Sequence, residues 1–201
     1  MKPFNRKEVY YKVTNRKENH NGLQYHTGRV VDPLPFNDDP KDSCVPGGIY
    51  FTDKDHLLKF GSYGPWVRPL TIPKGVKVVL DPDGDKFRAH EVEMRDRIPL
   101  GEFLKTIDTS RQGYVDLSSL TSLPEGVRFE NQGSVYLGSL TTLPEGARFE
   151  NQGYVDLSSL TKLPDGVRFG KGVQRVYLNH RTTTKELRGL SKKHNIKFSR
   201  W

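Results

Sequence analysis

The sequence predicts an α+β N-terminal domain followed by a short β-solenoid with a C-terminal capping helix. Three observations carry this expectation. A 20-residue pattern recurs from Gly113 onward, residues 1–105 hold no repeat but many turn signals, and the net positive charge lies in the last 32 residues. The expected organisation is an α+β module over 1–105, a repeat array over 106–180, and a basic capping helix with its tail over 181–201.

In the module, strand-forming runs fall at Val9–Thr14, Gln24–Val31, Gly48–Phe51, Val67–Ile72, Val76–Leu80 and Phe87–Met94. Asp53–Phe60 reads as a short helix with Thr52 or Asp53 as its N-cap. Asn19–Gly22, Pro33–Pro46, Pro73–Gly75 and Asp81–Asp85 interrupt the pattern and separate these elements. Gly47-Gly48 permits a tight entry into a strand, and Asp83-Gly84 is a hairpin-turn pair.

GYVDLSSLTSLPEGVRFENQ begins at Gly113, GSVYLGSLTTLPEGARFENQ at Gly133 and GYVDLSSLTKLPDGVRF at Gly153; a degraded copy, VQRVYLNH, follows one inserted residue. Such units bury their apolar sides by stacking on one another. Val115, Leu117, Leu120, Leu123, Val127 and Phe129 are the inward positions, and the period-2 steps Val115/Leu117 and Val127/Phe129 mark two short strands per coil. Pro124-Glu125-Gly126 and Asn131-Gln132-Gly133 form the corners. Alternation then sets Asp116, Tyr136, Asp156 and Tyr177 in one outward column, with Tyr114, Ser134 and Tyr154 in another. On the second strand Arg128, Arg148 and Arg168 are flanked by Glu130 and Glu150, so that patch neutralises itself.

The tail closes the array. Thr183-x-x-Glu186 has capping-box spacing, Leu187 and Leu190 share one side of a helix closing near Lys193, and Asn195 suits its stop. Ile196, Phe198 and Trp201 supply apolar cover for the last coil. Residues 1–169 balance, with 23 Lys+Arg against 23 Asp+Glu, whereas 170–201 hold nine Lys or Arg against Glu186 alone. This end suits an acidic partner, whether protein, nucleic acid or membrane surface. Its plainer role is a solvated face that keeps the chain soluble.

The LxxLP spacing resembles bacterial leucine-rich repeats, whose shortest units are also 20 residues long and share the Leu-Pro corner. Ser118 and Ser119 stand where that family has an asparagine, and Gly138 replaces Ser118 in the second copy. The resemblance implies protein binding through the ladder surface. The segments NHNGLQYHTG, SCVPGGIYFT, HLLKFGSYG, LTIPKGVKVV and DPDGDKFRAHEV resemble the module ahead of ankyrin repeats in giant-virus proteins, and uncharacterised proteins of large phages. That resemblance implies a viral or phage accessory protein and brings no activity with it.

A third resemblance is to ADP-ribosyltransferases of the poly-ADP-ribose polymerase type. It rests on Tyr25-His26-Thr27-Gly28, on GGIYFTDKDHLLKFGSYG with Tyr50, and on the E-x-E pair Glu91 and Glu93. It implies NAD as cofactor, with His26 on the nicotinamide ribose, Tyr50 stacked on nicotinamide and a glutamate activating the acceptor. The spacings of 24 residues from His26 to Tyr50 and 43 from Tyr50 to Glu93 are short for that family, and its serine-threonine-serine motif is missing.

Several classes are excluded or disfavoured. One cysteine, Cys44, rules out an intramolecular disulfide framework and a Cys-rich zinc site, and a reducing cytoplasm is expected. No apolar run reaches the roughly 18 residues of a membrane helix, and the opening MKPFNRKEVYYKV lacks a signal-peptide core. There is no GxxxxGK[ST], no HExxH and no His pair at metal spacing. Asp81–Asp85 begins like a calcium loop, but Val92 occupies the twelfth position and a turn is expected instead. No metal and no cofactor are expected.

The leading expectation is therefore a non-enzymatic viral or phage accessory protein, in the host-cell cytoplasm, that binds a host or viral protein to block or recruit it. Its anchors are Tyr114, Asp116, Tyr136, Tyr154, Asp156 and Tyr177, with Arg188, Lys192 and Lys193 steering approach. The alternatives are an NAD-dependent ADP-ribosyltransferase that uses the repeats as target selector, and nucleic-acid binding through residues 170–201.

Overall fold

The computed structural model describes residues 2–200; Trp201, expected over the last coil, lies outside the described residues. The chain separates into two compact units, Met1–Leu57 with Tyr63–Leu100, and Leu58–Ser62 with Gly101–Trp201. The architecture is mixed strands with little helix.

In the first unit the strands are β1 (Tyr10–Thr14), β2 (Asn19–His20), β3 (Leu23–Gln24), β4 (Gly28–Val31), β5 (Ile49–Phe51), β6 (Trp66–Thr71), β7 (Val78–Leu80), β8 (Phe87–Ala89), β9 (Glu91–Met94) and β10 (Ile98–Pro99). One antiparallel sheet runs β1-β6-β9-β4 with β10 also on β6, a second runs β5-β8-β7, and β2-β3 is a hairpin. Tyr10, Val30, Ile49, Phe51, Leu70, Phe87, Val92 and Met94 meet in one buried core. Tyr10 sits edge-on to Phe51 and Phe87 at 5.4 and 5.5 Å. Gly47 shows why the strand entry needs glycine: its φ is +87°, and a Cβ there would lie 2.2 Å from the Pro35 carbonyl oxygen.

Three local expectations change. The run Phe87–Met94 is two strands, because the chain leaves one sheet for the other at His90, whose carbonyl accepts from Asp32 N. Gln24–Val31 breaks at Tyr25–Thr27, where Gly28 turns at φ +98°. The helix expected at Asp53–Phe60 is a 3-10 segment at Leu57–Tyr63; Asp53 ties the preceding turn by accepting from His56 N at 3.0 Å. Within that segment Leu58–Ser62 belongs to the second unit, where Ser119 Oγ donates to the Gly61 carbonyl at 2.6 Å. A Cβ at Gly61 would lie 2.2 Å from Asp116 O, so only glycine permits this seat.

Deep in the first unit Glu18 holds Arg68 through two hydrogen bonds, at 2.6 and 2.9 Å, and Arg97 through a third at 3.0 Å. Burial pushes the Glu18 carboxyl up, but the two guanidiniums outweigh it and hold it below the usual range.

After a short helix α1 (Leu100–Leu104) and a 3-10 turn at Thr109–Arg111, whose cap Asp108 accepts from Ser110 N, the second unit consists of two parallel ladders. One is formed by β11 (Val115–Asp116), β13 (Val135–Tyr136), β15 (Tyr154–Leu157), β17 (Arg175–Leu178) and β18 (Lys197–Arg200); the other by β12 (Arg128–Phe129), β14 (Arg148–Phe149) and β16 (Arg168–Phe169). Val115 pairs with Val135 and Val135 with Val155, while Val155 pairs with Val176 across the one-residue insertion. Inside, Phe129, Phe149 and Phe169 stack at 5.3 and 5.2 Å. Asn131 and Asn151 are fully buried, and each donates from Nδ2 to a carbonyl of its own turn and to one 18 residues earlier, in the preceding turn.

Helix α2 (Thr184–His194) carries both halves of the capping box at Thr183 and Glu186 and ends at Asn195 with φ +57°. The tail then does more than cover a coil. It forms β18, which pairs parallel with β17 from Arg175↔Lys197 to Leu178↔Arg200, and the stretch between them is the crossover that a parallel pair requires.

Candidate functional site

The outward side of the first ladder is built by alternation. Val115, Val135, Val155, Val176 and Phe198 turn inward and are buried, so their strand neighbours face solvent. Tyr114, Tyr136 and Tyr154 expose 39%, 36% and 44% of their surface. Tyr114 meets Tyr136 edge-to-face at 6.1 Å, and Tyr154 meets Tyr177 in the same way at 6.1 Å. Lys59 lies over the Tyr114 ring and Arg175 over the Tyr177 ring, each at 5.9 Å. The result is a tyrosine stripe on a hydrogen-bonded scaffold, with each ring steadied by a neighbour and still open on one side.

The two aspartates expected beside the tyrosines work differently. Asp116 accepts from Ser118 N at 3.1 Å and from Ser118 Oγ, closing the turn after its strand. Asp156 is buried at 9% exposure, contrary to the outward position that alternation predicts, and accepts from Ser158 N at 2.9 Å. Gly138 explains the burial: a side chain there would begin 3.0 Å from Asp156 Oδ2, so its absence lets the carboxylate tuck in. Both aspartates fix turns more than they present charge.

The basic residues also sort differently. Helix α2 packs on the inner side of the sheet: Leu187 is buried, and His194 lies 5.3 Å from Phe169 and 5.7 Å from Phe198. Arg188, Lys192 and Lys193 therefore ride on the crossover and not among the tyrosines, and Lys193 approaches Asp165 at 4.0 Å. Besides Lys59 over Tyr114, the tyrosine side carries Arg175 and Lys197, set directly opposite each other in register. The signal that could have found them is the alternation of apolar Ile196 and Phe198 around Lys197, legible only once the tail is taken as a strand. On the other ladder Arg128 is held by Glu130 and by Glu150, the latter at 2.8 Å.

The four residues of the transferase resemblance lie on three segments, a loop, β5 and β9. His26 is exposed in a loop, with Nδ1 3.0 Å from the Thr27 carbonyl. Tyr50 is on β5, its hydroxyl bonded to Arg88 Nη1 at 2.7 Å and to Val45 N at 3.0 Å, with the Arg88 guanidinium 5.4 Å from the ring centre. Glu91 and Glu93 lie in the other sheet, on β9. Arg29 clamps Glu91 through two bonds of 2.7 Å and pairs in register with Glu93. Beside Tyr50, Lys12 donates to its carbonyl, and burial pulls that ammonium down to about 8.

Asp81, Asp83 and Asp85 gather their carboxylates within 4.8 Å. The Lys86 ammonium lies among them, at 3.0, 3.3 and 3.5 Å, where a bound cation would sit. Burial opposes that charge, but Asp81 and Asp85 outweigh it and raise the lysine above its ordinary value. Among the described residues no helix is long and apolar enough to cross a membrane.

No family model matches the chain. It is similar to proteins of Acanthamoeba polyphaga mimivirus. The protein named ankyrin repeat protein R868 is 39% identical over 88 residues, covering 42% of this chain and 44% of that protein. Ankyrin repeat protein R229 is 39% identical over 107 residues, or 46% of this chain and 34% of that protein. The uncharacterised protein R869 is 38% identical over 66 residues, or 33% and 48% of the two chains. The chain thus spans less than half the length of these relatives. No solved structure matches it.

Proposed function

We propose that this chain is a non-enzymatic viral accessory protein whose two ladders are the faces of a short solenoid, and that it captures a protein partner on the tyrosine stripe to block or recruit it. The observation that carries this reading is the exposure of Tyr114, Tyr136 and Tyr154 on one strand ladder. Exposed aromatics on a rigid surface are the residues that anchor interfaces, because they bury much area for little lost side-chain freedom. The similarity to mimivirus ankyrin repeat proteins supports it, since repeat arrays present extended binding surfaces. The cytoplasm of the host cell is where such a factor would act.

The test is the double variant Tyr136→Ala with Tyr154→Ala, used as bait in infected-cell extract beside the native chain. Two lost anchors should weaken capture by about 100-fold. Both side chains face solvent, so the thermal midpoint should stay within a few degrees of the native value. Undiminished capture by the folded variant would remove this face from the interface.

A further inference from the structure

Resting on that reading of the tyrosine stripe, we propose that its C-terminal end is a seat for an acidic, extended segment of the partner, held by Arg175 and Lys197. These two residues are register partners on adjacent parallel strands. Their neighbours Val176 and Phe198 are buried, so both cations point to the outer side, about 4.7–4.9 Å apart at the backbone. Like charges placed directly across a pair of strands repel. Among the described residues neither forms an ion pair, and the carboxylate of Asp156 on the adjacent strand is buried and bonded to Ser158 N. A pair of opposed cations without a counter-ion is relieved by an anion from outside.

The surroundings favour a polypeptide as its source. Tyr154 pairs in register with Arg175, and Tyr177 lies beside it, so aromatic surface continues from the cations toward the first coils. The charge does not continue. Residues 113–169 hold seven Asp or Glu against four Lys or Arg, whereas 170–201 hold nine Lys or Arg against one Glu. On this ladder the outward positions before Arg175 are tyrosine, serine and two turn-bound aspartates, so a uniform polyanion following the strands would leave the opposed cations within a coil or two. A protein segment that is acidic at one end and apolar or aromatic at the other matches both halves.

Fluorescence anisotropy on the full chain tests this with three labelled probes: a synthetic peptide alternating glutamate with tyrosine, its glutamine counterpart, and an oligothymidylate of equal charge. The glutamate peptide should bind at least about tenfold tighter than the glutamine peptide, with an advantage that shrinks as salt rises. That advantage should vanish in Arg175→Glu with Lys197→Glu and in the milder Arg175→Gln with Lys197→Gln. It should survive Lys7→Glu with Lys17→Glu, exposed positions where reversal changes the net charge equally. Equal binding of the two peptides overturns the acidic seat, as does a preference that survives both Arg175/Lys197 variants. Tighter binding of the oligothymidylate with the same dependence on Arg175 and Lys197 overturns it in favour of nucleic acid. If peptide affinity falls in Tyr136→Ala with Tyr154→Ala while no glutamate preference exists, only the acidic seat fails; unchanged affinity in the tyrosine variant overturns the stripe instead.

Discussion

Phe149→Ala should destabilise the protein by about 3–5 kcal/mol, as expected for deleting a buried phenylalanine. The ring is fully buried and lies between Phe129 at 5.3 Å and Phe169 at 5.2 Å, with planes only 19° and 14° apart. Phe149 thus joins the two near-parallel ring contacts of this column. Because the ladder joins each repeat to the next, its loss should also broaden the transition, as the repeats on either side begin to melt separately. Urea unfolding followed by circular dichroism reads both effects. Arg148→Ala, one residue away and exposed, should change stability by less than about 0.5 kcal/mol. A cost below about 1 kcal/mol for Phe149→Ala would mean that the stack does not couple the repeats.

Glu18→Ala should have a comparable effect, about 3–5 kcal/mol, by a different route. The Arg68 side chain is only 6% exposed and both its bonds to a carboxylate run to Glu18. Removing that partner leaves a guanidinium in the interior with no opposite charge. Because the Glu18 carboxyl is held below its ordinary value in the folded state, its contribution is complete above the unfolded value near 4.5 and is lost as pH falls through the folded one. Native stability should therefore decline steeply below pH 4.5, and Glu18→Gln should flatten that decline while lowering stability at pH 7. A native-like acid slope in the variant would assign the acid sensitivity to other carboxylates.

The repeat was legible because its evidence is redundant: the same inward Val, Leu and Phe positions recur at a fixed interval, and the ladders pair at that interval. The capping box was legible for the opposite reason, since Thr183 and Glu186 meet within one turn and need nothing from the rest of the chain. What stayed hidden depends on distant partners. Lys197–Arg200 has no strand identity until β17 offers an edge, so the tail read as loose cover and the basic residues of the helix were grouped with the tyrosines. Asp156 alternates like an exposed residue, and only the missing side chain at Gly138 takes it inside. Glu18 sits in a loop at φ +52° with nothing local to mark it, and its partners lie 50 and 79 residues away. Phe87–Met94 is a continuous strand pattern, because a change of sheet at His90 does not interrupt alternation.

Within the candidate site the tyrosines were legible from spacing and the pairing of Arg175 with Lys197 was not. The transferase resemblance shows the reverse problem. Residue types at suggestive positions, Tyr50 and Glu91 among them, are occupied by Arg88 and Arg29 once strand pairing is known.

The stripe is tested most directly by photocrosslinking from three single positions, Tyr136, Tyr154 and Arg148, each replaced by a photoreactive residue in the full chain and irradiated in infected-cell extract. Tyr136 and Tyr154 stand on the tyrosine ladder, and Arg148 is equally exposed on the other. Binding through the stripe predicts one shared crosslinked protein from positions 136 and 154 and none from 148. The same protein crosslinked from 148, with nothing from 136 or 154, would place the interface on the arginine ladder and contradict the proposal.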